Sequence, residues 1–361
     1  MRVIISAGGT GGHIFPALSI INKIKQEESD SEFLYIGTTD RMEHVIIPEH
    51  NIPYVGIEMK GLSKNLVKSL KSVGLLTKSI SKIKKLIKEF NPDIVIGVGG
   101  YITFPVIYSA KKLGYKTFIH EQNSIPGKSN KLLSRYTDKI AVSLPGSINY
   151  FPKDKVVLTG NPRSSEVIKA KKASKKELGL TKDKTILIVM GSLGSMTINK
   201  ELKKMVLSFN KKNYDVILVT GKNYYDDFKD LKTSVKIVPF LDNMLNVLKI
   251  CDLIITRAGA STIAEITAIG LPSILVPSPY VANNHQYYNA MELVNNKASI
   301  LLEEKDFNEE NLLKQIDLVL NNPKLLDEMH QNSLKLGVKD STDRIYQILK
   351  ELVGDYGKNS K

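Results

Sequence analysis

The chain has 361 residues, and 51 lysines and arginines against 37 acidic residues give it a formal net charge of +14. Its length exceeds the size at which a single hydrophobic core usually keeps growing, so two domains are expected. The basic excess indicates a polyanionic partner such as nucleic acid, anionic lipid or a phosphorylated substrate. The single cysteine, Cys251, excludes an internal disulfide framework and fits a reducing compartment.

Short runs of apolar, β-branched residues alternate with stretches of helical spacing along the first half of the chain. Because these runs are continuous rather than alternating, they predict strands of a parallel sheet covered on both faces. The helical stretches between them, such as 17–25 and 75–90, indicate a doubly wound α/β domain. The predicted strands are residues 3–5, 33–36, 94–96, 118–119 and 140–142.

The first predicted strand runs directly into residues 8–13, Gly-Gly-Thr-Gly-Gly-His. Glycines at a strand-to-helix turn let a ligand approach the backbone, and the following helix offers free amides and a positive dipole end to phosphate. A turn that needs glycine for steric reasons alone is the alternative. The spacing is not that of a dinucleotide site, which argues against a nicotinamide or flavin cofactor. A second glycine loop, residues 97–101, follows the strand at 94–96.

A second series of strands begins near residue 185, after the lysine-rich, strand-poor stretch 170–184. Its predicted strands are residues 186–189, 216–219, 235–238, 253–255 and 274–276. The hinge is expected near 160–162, which gives a first domain of residues 1–160 and a second of 161–340. The sequence leaves open whether the last helix, within about 341–361, packs back on the first domain.

The second series carries two further ligand-binding candidates. Residues 191–195, Gly-Ser-Leu-Gly-Ser, follow its first strand, and residues 257–265, Arg-Ala-Gly-Ala-Ser-Thr-Ile-Ala-Glu, follow the strand at 253–255. Ser261 or Thr262 is predicted to cap the helix that starts there, and its first amides suit a diphosphate. Glu265 lies about one turn in, where it can accept hydrogen bonds from paired sugar hydroxyls. Alternatively, it is a capping-box glutamate that serves the helix itself.

Six segments, in this order and spacing, closely resemble the MurG family of N-acetylglucosaminyltransferases. They are residues 8–13, 120–123, 160–163, 191–195, 260–265 and 284–286, and the resemblance covers nearly the whole chain. It implies the GT-B fold, an α/β architecture in which two Rossmann-like, doubly wound domains face each other across a cleft. It also implies transfer of N-acetylglucosamine from UDP to the MurNAc 4-hydroxyl of lipid I, which gives lipid II for peptidoglycan.

The resemblance further implies a set of site residues. Thr10, Gly11, Gly12 and Asn123 would lie near the transferred sugar and acceptor, the main chain around Leu241 would meet the uracil, and Glu265 would hold the ribose. The amides of Ala260, Ser261, Thr262, Ile263 and Ala264 would receive the diphosphate, Gln286 the N-acetylglucosamine hydroxyls, and Ser192 and Arg163 would also contact the donor. Gly99, Gly100 and Tyr101 would face the acceptor. Met190, Leu241 and the spacing before Arg163 depart from the common family pattern.

The implied reaction inverts the anomeric centre in one displacement and needs a base for the acceptor hydroxyl. His13 is the candidate, since imidazole titrates near neutral pH, although it could instead be a structural residue of its glycine turn. His120 is interpreted as either a cleft residue or a buried partner of Glu121. The sequence has no DxD-type metal motif in a plausible loop, so helix amides are expected to stabilise the leaving group without metal or cofactor.

Residues 60–88 contain nine lysines and no acidic residue, interleaved with leucine, isoleucine and valine at three- and four-residue steps. Gly74 is predicted to divide them into two amphipathic helices that dock on an anionic membrane, with Lys64, Lys68, Lys71 and Lys78 facing the lipid. The alternative is that the apolar faces only cover the sheet. Neither uncharged run of the chain, 3–22 or 94–110, reads as a membrane span, because glycines and proline interrupt both. Together with the lipid-linked acceptor that the resemblance implies, the docking surface predicts a peripheral location on the cytoplasmic side of the membrane.

Three other functions would also fit some features of the sequence. A glycosyltransferase of the same fold could use another lipid acceptor such as diacylglycerol, and a UDP-sugar epimerase shares the architecture. A nucleic-acid-binding protein would use the positive charge, but it predicts aromatic residues among the basic ones. Residues 60–88 contain no aromatic residue, so nucleic acid is not expected as a partner.

Overall fold

The structure is a computed structural model that describes residues 1–59, 66–191 and 194–359, except for the side chains of 66–76 and 355–359. The chain divides into two compact units. The N-terminal domain comprises Met1–Arg163 together with Asp340–Lys361, and the C-terminal domain comprises Ser164–Lys339.

The N-terminal domain contains a seven-stranded parallel sheet of order β3-β2-β1-β4-β5-β6-β7. On β1, Ile4 pairs with Leu34 of β2 on one side and with Val95 of β4 on the other. The strand order therefore reverses between β1 and β4, a switch point whose carboxyl edge is the usual place for a ligand. The strands are β1 Arg2–Ser6, β2 Glu32–Thr38, β3 Tyr54–Ile57, β4 Ile94–Gly97, β5 Lys116–Glu121, β6 Lys139–Val142 and β7 Val156–Leu158.

Helices cover both faces of this sheet, and the C-terminal helix of the chain is one of them. Ile345 and Leu349 of that helix are buried with Ile20 and Phe118 in the core on one face. Tyr346 also donates a hydrogen bond to Glu28 at 2.9 Å, which holds the helix on the first domain. The helices of the domain are α1 Gly11–Glu27, α2 Glu43–Glu49, α3 Leu66–Phe90, α4 Thr103–Lys112, α5 Lys128–Leu133 and, at the end of the chain, α13 Ser341–Asn359.

The C-terminal domain repeats this architecture with a six-stranded parallel sheet of order β10-β9-β8-β11-β12-β13. Here the order reverses between β8 and β11, where Ile254 pairs with Leu187. The strands are β8 Lys184–Val189, β9 Tyr214–Val219, β10 Lys236–Val238, β11 Leu253–Thr256, β12 Ser273–Leu275 and β13 Ser299–Leu301. The helices are α6 Arg163–Lys169, α7 Met196–Met205, α8 Met244–Leu248, α9 Ala260–Ile269, α10 His285–Val294, α11 Glu309–Leu320 and α12 Pro323–Leu336, of which α6 begins at the domain boundary.

The predicted α/β class is confirmed, and each of the ten predicted strands is present within a residue or two. The sequence interpretation missed β3, β7 and β13, which all lie at the edge of a sheet. An edge strand has a partner on one side only, so it is shorter and less continuously apolar than an interior strand. Of the three residues of β7, none is fully buried, and this removes the pattern on which the prediction depends.

The prediction that Gly74 separates two helices is wrong, because α3 is one continuous helix. A single glycine inside a helix costs only about 1 kcal/mol relative to alanine, which the packing of a long helix readily offsets. In the second half of α3, Ile83 and Ile87 are fully buried against the sheet, while Lys78 and Lys82 are exposed. Among the described residues, no helix combines the length and apolar character needed to cross a bilayer.

Candidate functional site

The two glycine loops of the N-terminal domain lie against each other at the carboxyl ends of β1 and β4. The amide of Gly8 donates to the carbonyl of Gly99 at 3.1 Å. Gly99 and Gly100 have φ angles of +104° and +93°, a region that favours glycine. A Cβ atom at Gly100 would lie 2.5 Å from the Gly8 carbonyl oxygen. Gly99 and Gly100 are therefore needed for steric reasons, because they let the two loops pack together. This agrees with the alternative that the turns need glycine sterically, but it does not exclude a ligand.

His13 lies in the first turn of α1, which has Thr10 at its N-cap and no side-chain cap. The Nδ1 atom of His13 is 2.9 Å from the carbonyl oxygen of Gly8, and a carbonyl can only accept. The ring proton therefore sits on Nδ1, which leaves Nε2 with a lone pair that can take a proton. The ring packs on Gly99, where a Cβ would come within 2.6 Å of the imidazole. The structural and the catalytic interpretations of His13 are thus compatible.

A buried carboxylate that the sequence interpretation missed supports this turn. Glu43, at the start of α2, is fully buried, and its Oε2 accepts a hydrogen bond from the Gly9 amide at 3.0 Å. Its Oε1 accepts from the amide and the hydroxyl of Thr38, at 3.1 and 2.7 Å. Burial, reinforced by the nearby Glu43 carboxylate, raises the pKa of Tyr54, so this phenol stays a neutral donor to the Thr38 carbonyl.

His120 is fully buried, as one of its two interpretations expected, but its hydrogen-bond partners differ from the one predicted. Its Nε2 donates to the carbonyl of Gly160 at 3.1 Å, and its Nδ1 accepts from the Gln122 amide at 3.2 Å. Glu121 is not its partner because successive side chains of a strand point to opposite faces. Burial lowers the pKa of His120 to about 4, so the ring is neutral at physiological pH.

Glu121 instead organises the loop that carries Asn123. Its Oε1 accepts from the backbone amide of Asn123 at 2.9 Å, and its Oε2 accepts from the Gly127 amide at 3.0 Å and from the Asn130 side chain at 2.8 Å. Only 2% of Glu121 is exposed. The carboxylate is therefore a support for the predicted sugar-binding residue Asn123.

Two cationic side chains lie near these loops in the N-terminal domain. The guanidinium of Arg163 stacks over the ring of Phe15 in α1, with 5.6 Å to the ring centroid. Arg41 is hydrogen-bonded to the hydroxyl of Tyr101, which raises the pKa of the arginine. Arg41 was not predicted, because nothing in its sequence neighbourhood separates it from a solvated surface charge.

In the C-terminal domain, the start of α9 lies next to the end of β11. Its N-cap is Gly259, with no side-chain cap, so the prediction that Ser261 or Thr262 caps the helix is wrong. Capping requires the N-cap residue itself to carry the accepting oxygen, and Ser261 and Thr262 already lie in the first turn. The amide of Ile263 donates to the Gly259 carbonyl at 2.9 Å, and the amide of Ala264 comes after it in the helix. Amides from Ile263 onward are therefore used inside the helix, and only those of Ala260, Ser261 and Thr262 are left to bind a diphosphate.

The side chains of this first turn also leave polar atoms for a ligand. The hydroxyl of Ser261 is buried and has no hydrogen-bond partner within the part of the chain that the structure describes. Glu265 is 7% exposed and lies six positions after the N-cap. A capping-box glutamate occupies the third position, so this alternative for Glu265 is excluded.

A buried arginine joins the two turns of the C-terminal domain. Arg257, at the end of β11, donates to the hydroxyl of Ser195 at 2.8 Å and forms an ion pair with Glu304 at 2.6 Å. Ser195 is the N-cap of α7, so this contact fixes the β8–α7 turn against the β11–α9 turn. Both charged side chains are only 10% exposed. Glu304 was not predicted, because it is distant from Arg257 along the chain.

The first turn of α10 brings Gln286 to the same edge of the sheet. The side-chain oxygen of Gln286 accepts from the Ser278 amide at 2.9 Å, which leaves its nitrogen as a donor. Asn289, fully buried in α10, donates to the carbonyl of Ala258 at 3.2 Å and so fixes this helix to the β11–α9 turn. The side chain of Leu241, after β10, is buried.

Several predicted residues lie outside the described part of the chain. Ser192 and Lys64 are not among the described residues, and the side chains of Lys68 and Lys71 are not described. Lys78 is exposed on α3. Within the described ranges, no three His, Cys, Asp or Glu side chains form a cluster that could hold a metal ion.

Both domains match the same glycosyltransferase family. Residues 3–142 match the glycosyltransferase family 28 N-terminal domain, and residues 185–345 match the family's C-terminal domain. The UDP-N-acetylglucosamine–N-acetylmuramyl-(pentapeptide) pyrophosphoryl-undecaprenol N-acetylglucosamine transferase of Bacillus cytotoxicus is 43% identical over 362 aligned positions, which cover 98% of this chain and 100% of the relative.

Solved structures agree on the fold. MurG from Acinetobacter baumannii superposes with a TM-score of 0.78 at 26% identity, covering 97% of this chain and 99% of that one. A UDP-GlcNAc 2-epimerase from Neisseria meningitidis has a TM-score of 0.69 at 15% identity, with 97% and 100% of the two chains covered. At that identity, the epimerase shares the fold alone.

The buried neutral state of His120 predicts a pH dependence of stability. An unfolded histidine has a pKa near 6.5, whereas that of His120 is about 4, so the unfolded chain binds more protons between these values. The free energy of unfolding should therefore fall by about 3 kcal/mol through this residue as the pH drops from 7 to 4. Chemical denaturation at several pH values should show that the free energy of unfolding falls less with decreasing pH in His120→Gln than in wild type. The exposed His50 is the control, and His50→Gln should keep the wild-type slope; equal slopes for all three proteins would contradict the prediction.

Proposed function

The chain belongs to the MurG family within glycosyltransferase family 28, and from this premise we propose how its two domains divide the transfer of N-acetylglucosamine. As a member of this family, it transfers N-acetylglucosamine from UDP to lipid I and produces lipid II. In our proposal, the C-terminal domain binds the donor, and the N-terminal domain binds the acceptor and supplies the base. The observation that carries the division is the uncapped first turn of α9, followed one turn later by the buried Glu265.

The donor assignment follows from the chemistry at the start of α9. The amides of Ala260, Ser261 and Thr262 point along a helix dipole whose positive end attracts a diphosphate. The unpartnered hydroxyl of Ser261 offers a further hydrogen bond to a phosphate oxygen. Arg257, paired with Glu304, holds the neighbouring β8–α7 turn in place beside these amides. As UDP departs, its diphosphate gains negative charge, so the amides and the Ser261 hydroxyl stabilise the transition state more than the bound donor.

In this proposal, most of the remaining donor contacts come from residues at the same carboxyl edge of the C-terminal sheet. Glu265 accepts hydrogen bonds from the ribose hydroxyls, and the main chain around Leu241 reads the uracil. The side-chain nitrogen of Gln286 donates to the N-acetylglucosamine hydroxyls, since its oxygen is held by Ser278. Asn123 contributes from its loop in the N-terminal domain. Ser192 and Arg163 remain further donor contacts in this proposal.

The acceptor assignment rests on the glycine loops of the N-terminal domain. The open first turn of α1, with Thr10, Gly11 and Gly12, suits an anionic group of the acceptor, and Gly99, Gly100 and Tyr101 line the adjoining loop. The Nε2 atom of His13 takes the proton of the muramyl 4-hydroxyl. The oxygen then forms its bond to the anomeric carbon while the bond between that carbon and UDP breaks. One displacement of this kind inverts the anomeric centre.

The reaction itself is tested by mixing the protein with UDP-N-acetylglucosamine and lipid I in the presence of a chelator. We expect UDP release and lipid II formation without added divalent metal, because the helix amides at the start of α9 stabilise the leaving group. Activity lost in chelator and restored by magnesium or manganese would contradict the metal-independent part. Transfer to diacylglycerol in place of lipid I, or epimerisation of the donor without lipid, would identify one of the rival functions.

The ribose assignment predicts that Glu265→Ala weakens donor binding without unfolding the protein. A hydrogen bond to a charged group contributes roughly 1.5–3 kcal/mol, or about ten- to a hundred-fold in affinity. Titration calorimetry with UDP should show this loss, whereas Glu310→Ala, at an exposed position in α11, should bind UDP like wild type. Equal affinity of the wild type and Glu265→Ala would exclude Glu265 from the donor site.

We also propose that the N-terminal part of α3 and the segment before it dock on the cytoplasmic membrane surface. A lipid-linked acceptor must be met where its diphosphate leaves the bilayer, so the acceptor-binding domain needs such a surface. Each lysine near an anionic leaflet contributes about 1 kcal/mol. Because Ile83 and Ile87 pack against the sheet, the second half of α3 presents its lysines rather than apolar side chains. Lys64, Lys68, Lys71 and Lys78 are the proposed contacts.

Replacing Lys64, Lys68, Lys71 and Lys78 with glutamate should abolish co-sedimentation with anionic phospholipid vesicles at low salt. Binding of UDP-N-acetylglucosamine should be unchanged, because these lysines belong to the N-terminal domain and the proposed donor site is in the C-terminal domain. The matched control replaces Lys203, Lys204, Lys211 and Lys232 of the C-terminal domain, which are all exposed, with glutamate. This control changes the net charge equally and should still sediment. Equal sedimentation of the two variants would place the membrane surface elsewhere.

A further inference from the structure

The peptide group between Gly8 and Gly9 is hydrogen-bonded at both of its ends. Its N–H, on Gly9, donates to Glu43 Oε2 at 3.0 Å, and its C=O, on Gly8, accepts from His13 Nδ1 at 2.9 Å. Because a peptide group is planar, fixing one end fixes the direction of the other. A buried carboxylate and the proposed base are therefore connected through a single peptide plane.

The surroundings of Glu43 are shaped to hold its carboxylate. A Cβ at Gly8 would lie 2.5 Å from Glu43 Oε1, and a Cβ at Gly37 would lie 2.7 Å from Glu43 Cγ, so both glycines make room for this side chain. Glu43 is 0% exposed, and hydrogen bonds from Gly9 and Thr38 hold its carboxylate, while Arg41 attracts it only at a distance. Burying an unpaired carboxylate is costly even when it is fully hydrogen-bonded. An apolar residue would fill this space more cheaply if packing were its only role.

We propose that Glu43 is a positioning residue that acts on His13 through the Gly8–Gly9 peptide. The inference rests on the proposed function, in which His13 is the base. The carboxylate holds and polarises the peptide, so the Gly8 carbonyl binds the Nδ1 proton and keeps the lone pair on Nε2. Coupled hydrogen bonds of this kind strengthen one another. When Nε2 takes the proton of the acceptor hydroxyl, the resulting positive charge is stabilised by the carbonyl and, through it, by the carboxylate.

The kinetic test replaces Glu43 with glutamine in the full-length chain. The amide cannot accept from both Thr38 and Gly9, because one of its two terminal atoms is now a donor. We expect kcat to fall about 10- to 100-fold, a part of the 10²–10⁴-fold share of general-base catalysis, with the KM for UDP-N-acetylglucosamine unchanged. An unchanged kcat in a folded Glu43→Gln protein would overturn the proposal.

The matched control is Asp93→Asn. The Asp93 carboxylate accepts from the amide of Arg2 at 2.7 Å, so it makes the same kind of contact at the opposite end of β1. This variant should lose some stability in thermal unfolding but keep its kcat. A fall in kcat as large as that of Glu43→Gln would show that any loss of a carboxylate–amide contact in this domain has the effect, and would overturn the specific role of Glu43.

A double-mutant cycle separates positioning of His13 from a purely structural role. His13→Ala alone should lower kcat by about 10²–10⁴-fold. In the His13→Ala background, Glu43→Gln should change kcat by less than about threefold, because two residues that act as one unit are not additive. If Glu43→Gln lowers kcat by the same factor in the His13→Ala protein as in wild type, the proposal is overturned. If His13→Ala itself stays within a few-fold of wild type, the proposed base is wrong, and this inference fails with it.

A spectroscopic readout on the wild-type protein covers the case in which Glu43→Gln does not fold. Nitrogen-15 NMR of the imidazole side chains distinguishes the two neutral tautomers, and the signals that disappear in His13→Ala identify this residue. We expect His13 to carry its proton on Nδ1. A neutral ring protonated on Nε2 would overturn the proposal, since the bond to Gly8 would then be absent.

Discussion

The positions of β1 and β4 side by side in the first sheet are the constraint on which the candidate site depends. Because the strand order reverses there, the loops that leave the two strands diverge to opposite faces and leave a crevice at the carboxyl edge. The glycine loops fill this crevice with backbone, and a side chain at Gly100 would collide with the Gly8 carbonyl and separate them. In our proposal, the acceptor binds at this edge.

The C-terminal domain uses the same constraint with different chemistry. Its sheet reverses between β8 and β11, and again two turns meet at the carboxyl edge. Here a buried ion pair, Arg257 with Glu304, fixes the turns, whereas in the N-terminal domain the buried carboxylate of Glu43 supports the glycine turn through hydrogen bonds. The difference fits the proposed division of labour. The ion pair leaves the free amides at the start of α9 to receive a departing diphosphate, and the Glu43 carboxylate suits the turn that would hold a base.

Residues that support a site were harder to predict than residues that would contact a ligand. Glu43 follows Asp40 and Arg41 in the sequence and looks like part of a solvated loop, yet it is fully buried. Glu304 lies far along the chain from Arg257, its partner. A supporting residue is selected by what folds against it, so its own neighbours in sequence carry little information. His120 illustrates the same limit, since its partners Gly160 and Gln122 are set by the packing of β5.

The sequence by itself determined the parallel α/β class, the interior strands, the glycine turns and the family. These features are local, because a buried parallel strand must be continuously apolar and a ligand-binding turn must contain small residues. Only the tertiary structure decided the edge strands β3, β7 and β13, the uncapped start of α9 and the packing of α13 on the first domain. It also revealed the two hydrogen bonds of the Gly8–Gly9 peptide. Each of these depends on which distant segments come together, and such contacts are fixed by burial and hydrogen bonding across the fold rather than by local sequence pattern.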